Sequence, residues 1–148
     1  REMIITTMGE QHVAQVAALE KLCFSDPWSE RSVASELTNK LSLWLVAVEN
    51  DTVVGYVGSQ TVMGETDMMN VAVHPDFRKR GIATALIVGL VEELRKQGSH
   101  CLTLEVRASN APAISVYSAL EFREVGRRRN YYRNPREDAL ILRKEWEI

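Results

Sequence analysis

Between Asp67 and Gly98 the chain changes its hydrophobic period once, and the change falls on a basic turn that contains a glycine. A β-prone run within Asp67 to Val73 closes on Val71-Ala72-Val73, ahead of His74-Pro75. Beyond the turn, Ile82, Ala83, Leu86, Ile87, Leu90, Val91 and Leu94 recur at the spacing of one helix face, and the stripe stops at Gly98, a suitable C′ residue. The turn between them is Arg78-Lys79-Arg80-Gly81-Ile82-Ala83. A strand that turns directly into a helix leaves the helix's first amides without intrahelical acceptors, at the positive end of the dipole, and such an end suits an anion such as a pyrophosphate. Gly81 permits the backbone conformation and the close approach that a larger residue blocks, Ala83 is small for the same reason, and the basic side chains add charge. Neither a Gly-Lys-Ser or Gly-Lys-Thr nor a Gly-x-Gly-x-x-Gly fingerprint is present, so the turn is not a Walker A loop or a dinucleotide fingerprint. Taken alone it is read equally well as a solvated basic loop, and it leaves the ligand open.

The flanking patterns define what this unit is built into. Met3 to Thr7 is a short β-prone run, followed by Val13, Val16, Ala17 and Leu19 to Cys23 at helical spacing. Ser25-Asp26-Pro27 breaks that pattern, and Ser29 is placed to cap a second short helix through Val33 and Leu37. Leu43 to Val48 and Val53 to Gly58 are β-rich runs around the polar turn Glu49-Asn50-Asp51, a hairpin. After Gly98 come a strand from Cys101 to Val106, a helix from Ala111 to Leu120, and closing strands within Glu124 to Tyr132 and Ala139 to Trp146. The order predicts one α/β (α+β) domain over 1–148. Its mixed, mostly antiparallel sheet has about seven strands and helices on both faces. Rossmann folds alternate more regularly.

The composition, 45% hydrophobic and 26% charged with a formal net charge of −2, argues against disorder and against nucleic-acid binding driven by overall charge. Direct nucleic-acid contact is therefore not expected, and Arg127-Arg128-Arg129 reads as a solvated face. Cys23 and Cys101 are too few for a disulfide framework, no apolar run approaches the ~20 residues of a membrane helix, and a cytoplasmic location without membrane contact is expected. His12, His74 and His100 have no metal-ligand spacing with the cysteines, so no metal is expected.

Arg-x-x-Gly-x-Ala after a strand resembles the acetyl-CoA pyrophosphate motif of the GNAT N-acetyltransferases, and the element order agrees along nearly the whole chain. Leu104 to Asn110, Tyr117 to Phe122, Arg128-Arg129-Asn130-Tyr131-Tyr132 with Arg136 to Ala139, and Pro27-Trp28-Ser29 are similar to the RimI-like, protein N-terminus-acetylating branch of that family. The resemblance implies transfer of acetyl from acetyl-CoA, in a ternary complex, to the α-amino group of a protein, a small-subunit ribosomal protein (the eighteenth of the S series). It implies Glu105 as general base and Tyr117 as general acid. It implies that Val71, Ala72 and Val73, the turn from Arg78, Lys79, Arg80, Gly81, Ile82 and Ala83 to Thr84, and Asn110 and Tyr117 hold the cofactor. Trp28, Tyr131 and Tyr132, the last two in the turn between the closing strands, and Glu137 and Asp138 are implied to receive the acceptor. Without the resemblance, Tyr117 reads as a core residue beside Ile114 and Leu120, Glu105 as a paired carboxylate, and Asn110 as an N-cap. An acceptor that is a lysine side chain or a small amine, and a non-catalytic acyl-CoA-binding module, are the competing readings. Glu121 stands where the family has glycine, at a helix end where a left-handed conformation favours glycine or asparagine.

Overall fold

The computed structural model of the protein describes residues 2–147. Its elements are β1 (Met3–Thr7), α1 (Val13–Cys23), α2 (Glu30–Ser35), β2 (Ser42–Glu49), β3 (Thr52–Val62), β4 (Glu65–Val73), α3 (Ile82–Lys96), β5 (Cys101–Arg107), α4 (Ala111–Ala119), β6 (Arg123–Tyr132) and β7 (Glu137–Glu145). The strands form one seven-stranded sheet in the order β1-β2-β3-β4-β5-β7-β6. Every neighbouring pair is antiparallel except β4 and β5.

The run Leu43-Trp44-Leu45-Val46-Ala47 is apolar at every position because both faces of β2 are covered. Leu43, Leu45 and Ala47 join Val57, Leu86, Leu90, Leu102 and Leu104 in a core under α3. Trp44 and Val46 join Val16, Leu19, Val33 and Tyr56 in a second core under α1 and α2. A strand buried on two faces loses the alternation of a half-exposed one, since successive side chains enter different cores. Gly58 is required by this packing: a Cβ there would sit 2.4 Å from the indole of Trp44.

Local signals place the ends. The Ser29 hydroxyl accepts from the Ser32 amide at 3.1 Å and opens α2 as expected. Gly98, at φ 89°, closes α3, with the Ser99 amide donating to Leu94 O at 2.9 Å and the Gly98 amide to Arg95 O at 3.1 Å. Asn50 and Asp51, at φ 51° and 61°, form the β2–β3 turn. The sequence reading ends the next strand at Gly58, whereas β3 and β4 are longer and meet in a second tight hairpin through Met63 and Gly64, at φ 53° and 82°. Met63 carries no turn signal. Tyr131 and Tyr132 also depart from expectation, since they end β6, and the connection to β7 is residues 133–136.

Candidate active site

The parallel contact of β4 with β5 is confined to Glu65↔Cys101, Thr66↔Leu102 and Asp67↔Thr103. From Met68 onward β4 pairs with β3 alone, while Leu104 to Arg107 pair with β7. The two strands therefore splay, and the gap begins beside a bulge: Gly58 is opposite Asn70 and Ser59 opposite Met68, leaving Met69 as the extra residue. One inserted residue reverses the side-chain alternation. Met68, Val71 and Val73 consequently pack toward the α3 core, while Ala72 belongs to the α1 core.

A cavity of about 640 Å³ occupies the α3 end of the gap. It is lined by Val71, Ala72 and Val73, by Arg78, Lys79, Gly81, Ile82, Ala83 and Thr84 of the turn, and by Asn110 and Tyr117. Gly81 caps α3 at φ 77°, a left-handed conformation that favours glycine, and no side chain caps that helix. Its leading amides thus have neither an intrahelical nor a side-chain acceptor. Arg80, predicted with the others, is absent from the lining: its guanidinium pairs with Glu49 at 2.8 Å and lies over the Phe77 ring at 5.1 Å. Arg78 folds back on β4, donating from Nε to Val73 O at 3.2 Å. Asn110 accepts from the Ala113 amide at 3.3 Å and so caps α4 while facing the cavity.

Tyr117 and Glu105 stand on opposite faces of the sheet. Tyr117 is buried in the α3 core, its hydroxyl against Met68 Sδ at 3.9 Å, and burial followed by the nearby Tyr132 pushes its phenol up to about 12. Leu104 and Val106 face the α3 core, so Glu105 between them faces away. Its carboxylate pairs with Arg128 and lies close enough to Tyr131 to raise the Tyr131 phenol. Tyr132 is pushed up to about 12 by burial and then by the charge of Glu105. Tyr132 thus lies within electrostatic reach of both Glu105 and Tyr117. Burial, then the charges of Glu105 and Glu65, raise Asp67 beside the last β4–β5 pair.

The remaining predicted acceptor residues act through the scaffold. Glu137 accepts from the Ser109 amide at 2.5 Å and pairs with Arg107 at 3.3 Å. Asp138 accepts from the Asn130 amide at 2.9 Å and pairs with Arg127 at 3.2 Å. Arg107 also lies over the Tyr132 ring at 4.5 Å and donates to the carbonyls of Arg133 and Pro135. Both carboxylates are engaged in holding the hairpin that carries Tyr131 and Tyr132. Trp28 is half-buried, edge-on to Trp44 at 5.3 Å, so its ring anchors the α1–α2 loop.

Residues 13–122 match the family model described as the Acetyltransferase (GNAT) family. The chain belongs to the GNAT acetyltransferase family. It is 40% identical over 126 residues to the [ribosomal protein bS18]-alanine N-acetyltransferase of Escherichia coli strain K12, covering 84% of each chain. Over 142 residues it is 32% identical to the protein of that name from Haemophilus ducreyi, covering 94% of this chain and 97% of the other. The crystal structure of the Escherichia coli ribosomal-protein-S18-alanine N-acetyltransferase superposes with a TM-score of 0.91 at 34% identity, over 99% of this chain and 96% of that one.

As a GNAT acetyltransferase the protein uses acetyl-coenzyme A. The chemistry of the cavity fits that group: uncapped amides at one end for a pyrophosphate, and apolar walls with free strand edge at the other for a pantetheine arm. Sequence reasoning missed Cys23, Phe24 and Phe77 in the lining. Phe77 carries a local signal, standing directly before the turn. Cys23 and Phe24 have none, because they reach the cavity only once α1 crosses the sheet. Among the described residues no helix is long and apolar enough to cross a membrane, and no cluster of three His, Cys, Asp or Glu side chains could hold a metal ion.

Proposed function

We propose that this GNAT acetyltransferase modifies the α-amino group of a protein N-terminus in the cytoplasm, with the alanine terminus of ribosomal protein bS18 as its acceptor. We propose further that 1–148 forms a single catalytic domain. The observation that carries the reading is the gap beyond Asp67 and Thr103, which separates Tyr117 on one face from Glu105, Tyr131 and Tyr132 on the other. The names of the similar proteins support the choice of acceptor.

Acetyl-coenzyme A supplies the thioester carbonyl and the sulfur that leaves. Amides of Gly81 to Thr84 bind its pyrophosphate, with Arg78 and Lys79 adding charge and Asn110 a further polar contact. Arg80 acts indirectly, through Glu49 and Phe77. The edge of β4 at Val71 to Val73, released from β5, offers backbone groups to the pantetheine amides and to the reacting carbonyl oxygen. Glu105 takes the proton of the incoming ammonium, directly or through water. An α-amino group has a reference pKa of about 7.7–8.0 against about 10.4 for lysine, so an N-terminus asks less of that base. Tyr117 retains its proton at every working pH and delivers it to the departing sulfur. Tyr131 and Tyr132 flank the acceptor, Glu137 and Asp138 hold their hairpin, and Trp28 holds the opposite loop.

Peptides with free or blocked N-termini, including an alanine-first series, test the reading on incubation with acetyl-coenzyme A and mass measurement. One added acetyl on free termini alone is expected. Acetylation of blocked, lysine-bearing peptides would overturn the N-terminal assignment. No transfer to any peptide, despite saturable coenzyme A binding, would identify a binding module instead.

A further inference from the structure

The catalytic proposal leaves out the one fully buried carboxylate described in the molecule, Glu20 on α1. Among the described residues no lysine, arginine or histidine pairs with it. Its oxygens accept instead from three separate segments: the Trp28 amide at 2.8 Å from the α1–α2 loop, the Tyr56 hydroxyl from β3, and the Asn70 side-chain amide from β4. A buried carboxylate is costly unless its acceptor sites are filled, so the three donors must be held together for Glu20 to stay folded in place. Burial and Glu20 together raise the Tyr56 phenol, which keeps that donor protonated.

The donors are placed at the margins of the gap. Asn70 follows the bulged Met69 within the segment of β4 that has left β5, which begins at Met68; the bulge turns its side chain toward α1. Three residues after Glu20, the Cys23 thiol donates to Val73 O at 3.9 Å, so the end of α1 rests on the free segment at Asn70 and again at Val73. Trp28 fixes the far side of the loop that starts at Phe24, a residue of the cavity wall.

We infer that Glu20 is a positioning residue for the acceptor, setting the α1–α2 loop at a fixed distance from the free segment of β4. The inference rests on the proposed acceptor role of that face. Glu20 touches neither reactant; it acts through the Trp28 backbone and Asn70. Its loss therefore weakens acceptor binding and leaves the chemical step and the cofactor site in place.

Two variants test this. Glu20→Gln keeps the acceptor for Trp28 and turns a donor toward Asn70; Tyr56→Phe removes one donor and keeps the ring. The expected result, in at least one folded variant, is an acceptor KM raised about tenfold, as one charge-assisted hydrogen bond is worth, with kcat and the KM for acetyl-coenzyme A within about twofold. Adding Asn70→Asp to Glu20→Gln reverses donor and acceptor and should recover most of the acceptor KM. Faster hydrogen exchange at the Trp28 amide is expected in both variants, and that readout does not depend on which amine is the acceptor. Folded variants with a lower melting temperature but unchanged KM values would reduce Glu20 to a structural tie, and unchanged Trp28 exchange would overturn the inference. Failure of wild-type protein to acetylate free N-termini would count against the proposed function, whereas unchanged variant-to-wild-type ratios count against Glu20.

Discussion

Asp67 and Thr103 are the last residues that β4 and β5 share, and the sheet divides immediately beyond them. Backbone groups of Val71 to Val73 are thereby left without a partner strand on the β5 side. Coenzyme A should cover them. Amide exchange over residues 70–73 and at the start of α3 is expected to slow on its addition, with little change in β2; uniform protection or none would show that the arm lies elsewhere.

Glu105→Gln is expected to lower kcat by about a hundredfold or more while the affinity for acetyl-coenzyme A, measured by calorimetry, stays within about twofold. The side chain faces away from the cavity that would hold the cofactor, so the two quantities should separate. An unchanged kcat would remove Glu105 from the chemistry and leave it as the partner of Arg128.

Tyr117→Phe should also lower kcat by about a hundredfold, with the protein still folded, because among the described hydrogen bonds the hydroxyl has only Met68 Sδ, at 3.9 Å, as a partner. With its phenol up to about 12, Tyr117 remains a proton donor between pH 7 and 10. Any decline of activity in that range should therefore persist in the variant.

Glu137 and Asp138 carry a pH dependence of stability. Hydrogen bonds from Ser109 and Arg107 hold Glu137 below the ordinary carboxylate range, and those from the Asn130 amide and Arg127 hold Asp138 below it. A carboxyl depressed by folding stabilises the folded state above its unfolded pKa, and the contribution is lost as pH falls through the folded value. The melting temperature should fall with pH below about 5, and Glu137→Gln should both lower it at neutral pH and flatten that slope. An unchanged slope would show that other carboxylates govern acid unfolding.

Glu121→Gly is expected to stabilise the protein. Glu121 adopts φ 71° in the αL position after α4, with its amide donating to Ser118 O at 3.0 Å and the Phe122 amide to Tyr117 O at 3.0 Å. Gly98 performs the same task after α3 without a Cβ. Relief of the left-handed strain, about 1 kcal/mol, exceeds the exposed ion pair with Lys144 at 3.7 Å, and the melting temperature should rise by about 2–4 °C. Activity should not change, and a lower melting temperature would mean that the ion pair matters more than the strain.

What could be read in the sequence was whatever its local chemistry determines. The α3 stripe, the Gly98 stop, the Ser29 cap and the Asn50-Asp51 turn each depend on residues within a turn or two, and each is found in place. The relative placement of Glu105, Asn110 and Tyr117 followed from their strand and helix once the family pattern was joined to it. Interactions across the fold were not legible. Arg80 turns to Glu49, thirty-one positions earlier, and Trp28 turns to Trp44. The resemblance gave Glu137 and Asp138 to the acceptor, and their engagement within the hairpin was not legible because Ser109 and Asn130 approach them only after β5, β6 and β7 have paired. Nothing local marks Glu20 for burial, which depends on Tyr56 and Asn70, far away in the chain.

The division of the sheet also bears on traffic. With the coenzyme cavity at the α3 end and Glu105 turned to the other face, the proposed function would bring a polypeptide terminus and a nucleotide-bearing thioester from different directions, to meet at the opening between β4 and β5. Neither would have to leave for the other to enter, and the bulk of a large acceptor would stay outside, since its first few residues alone would need to reach the opening.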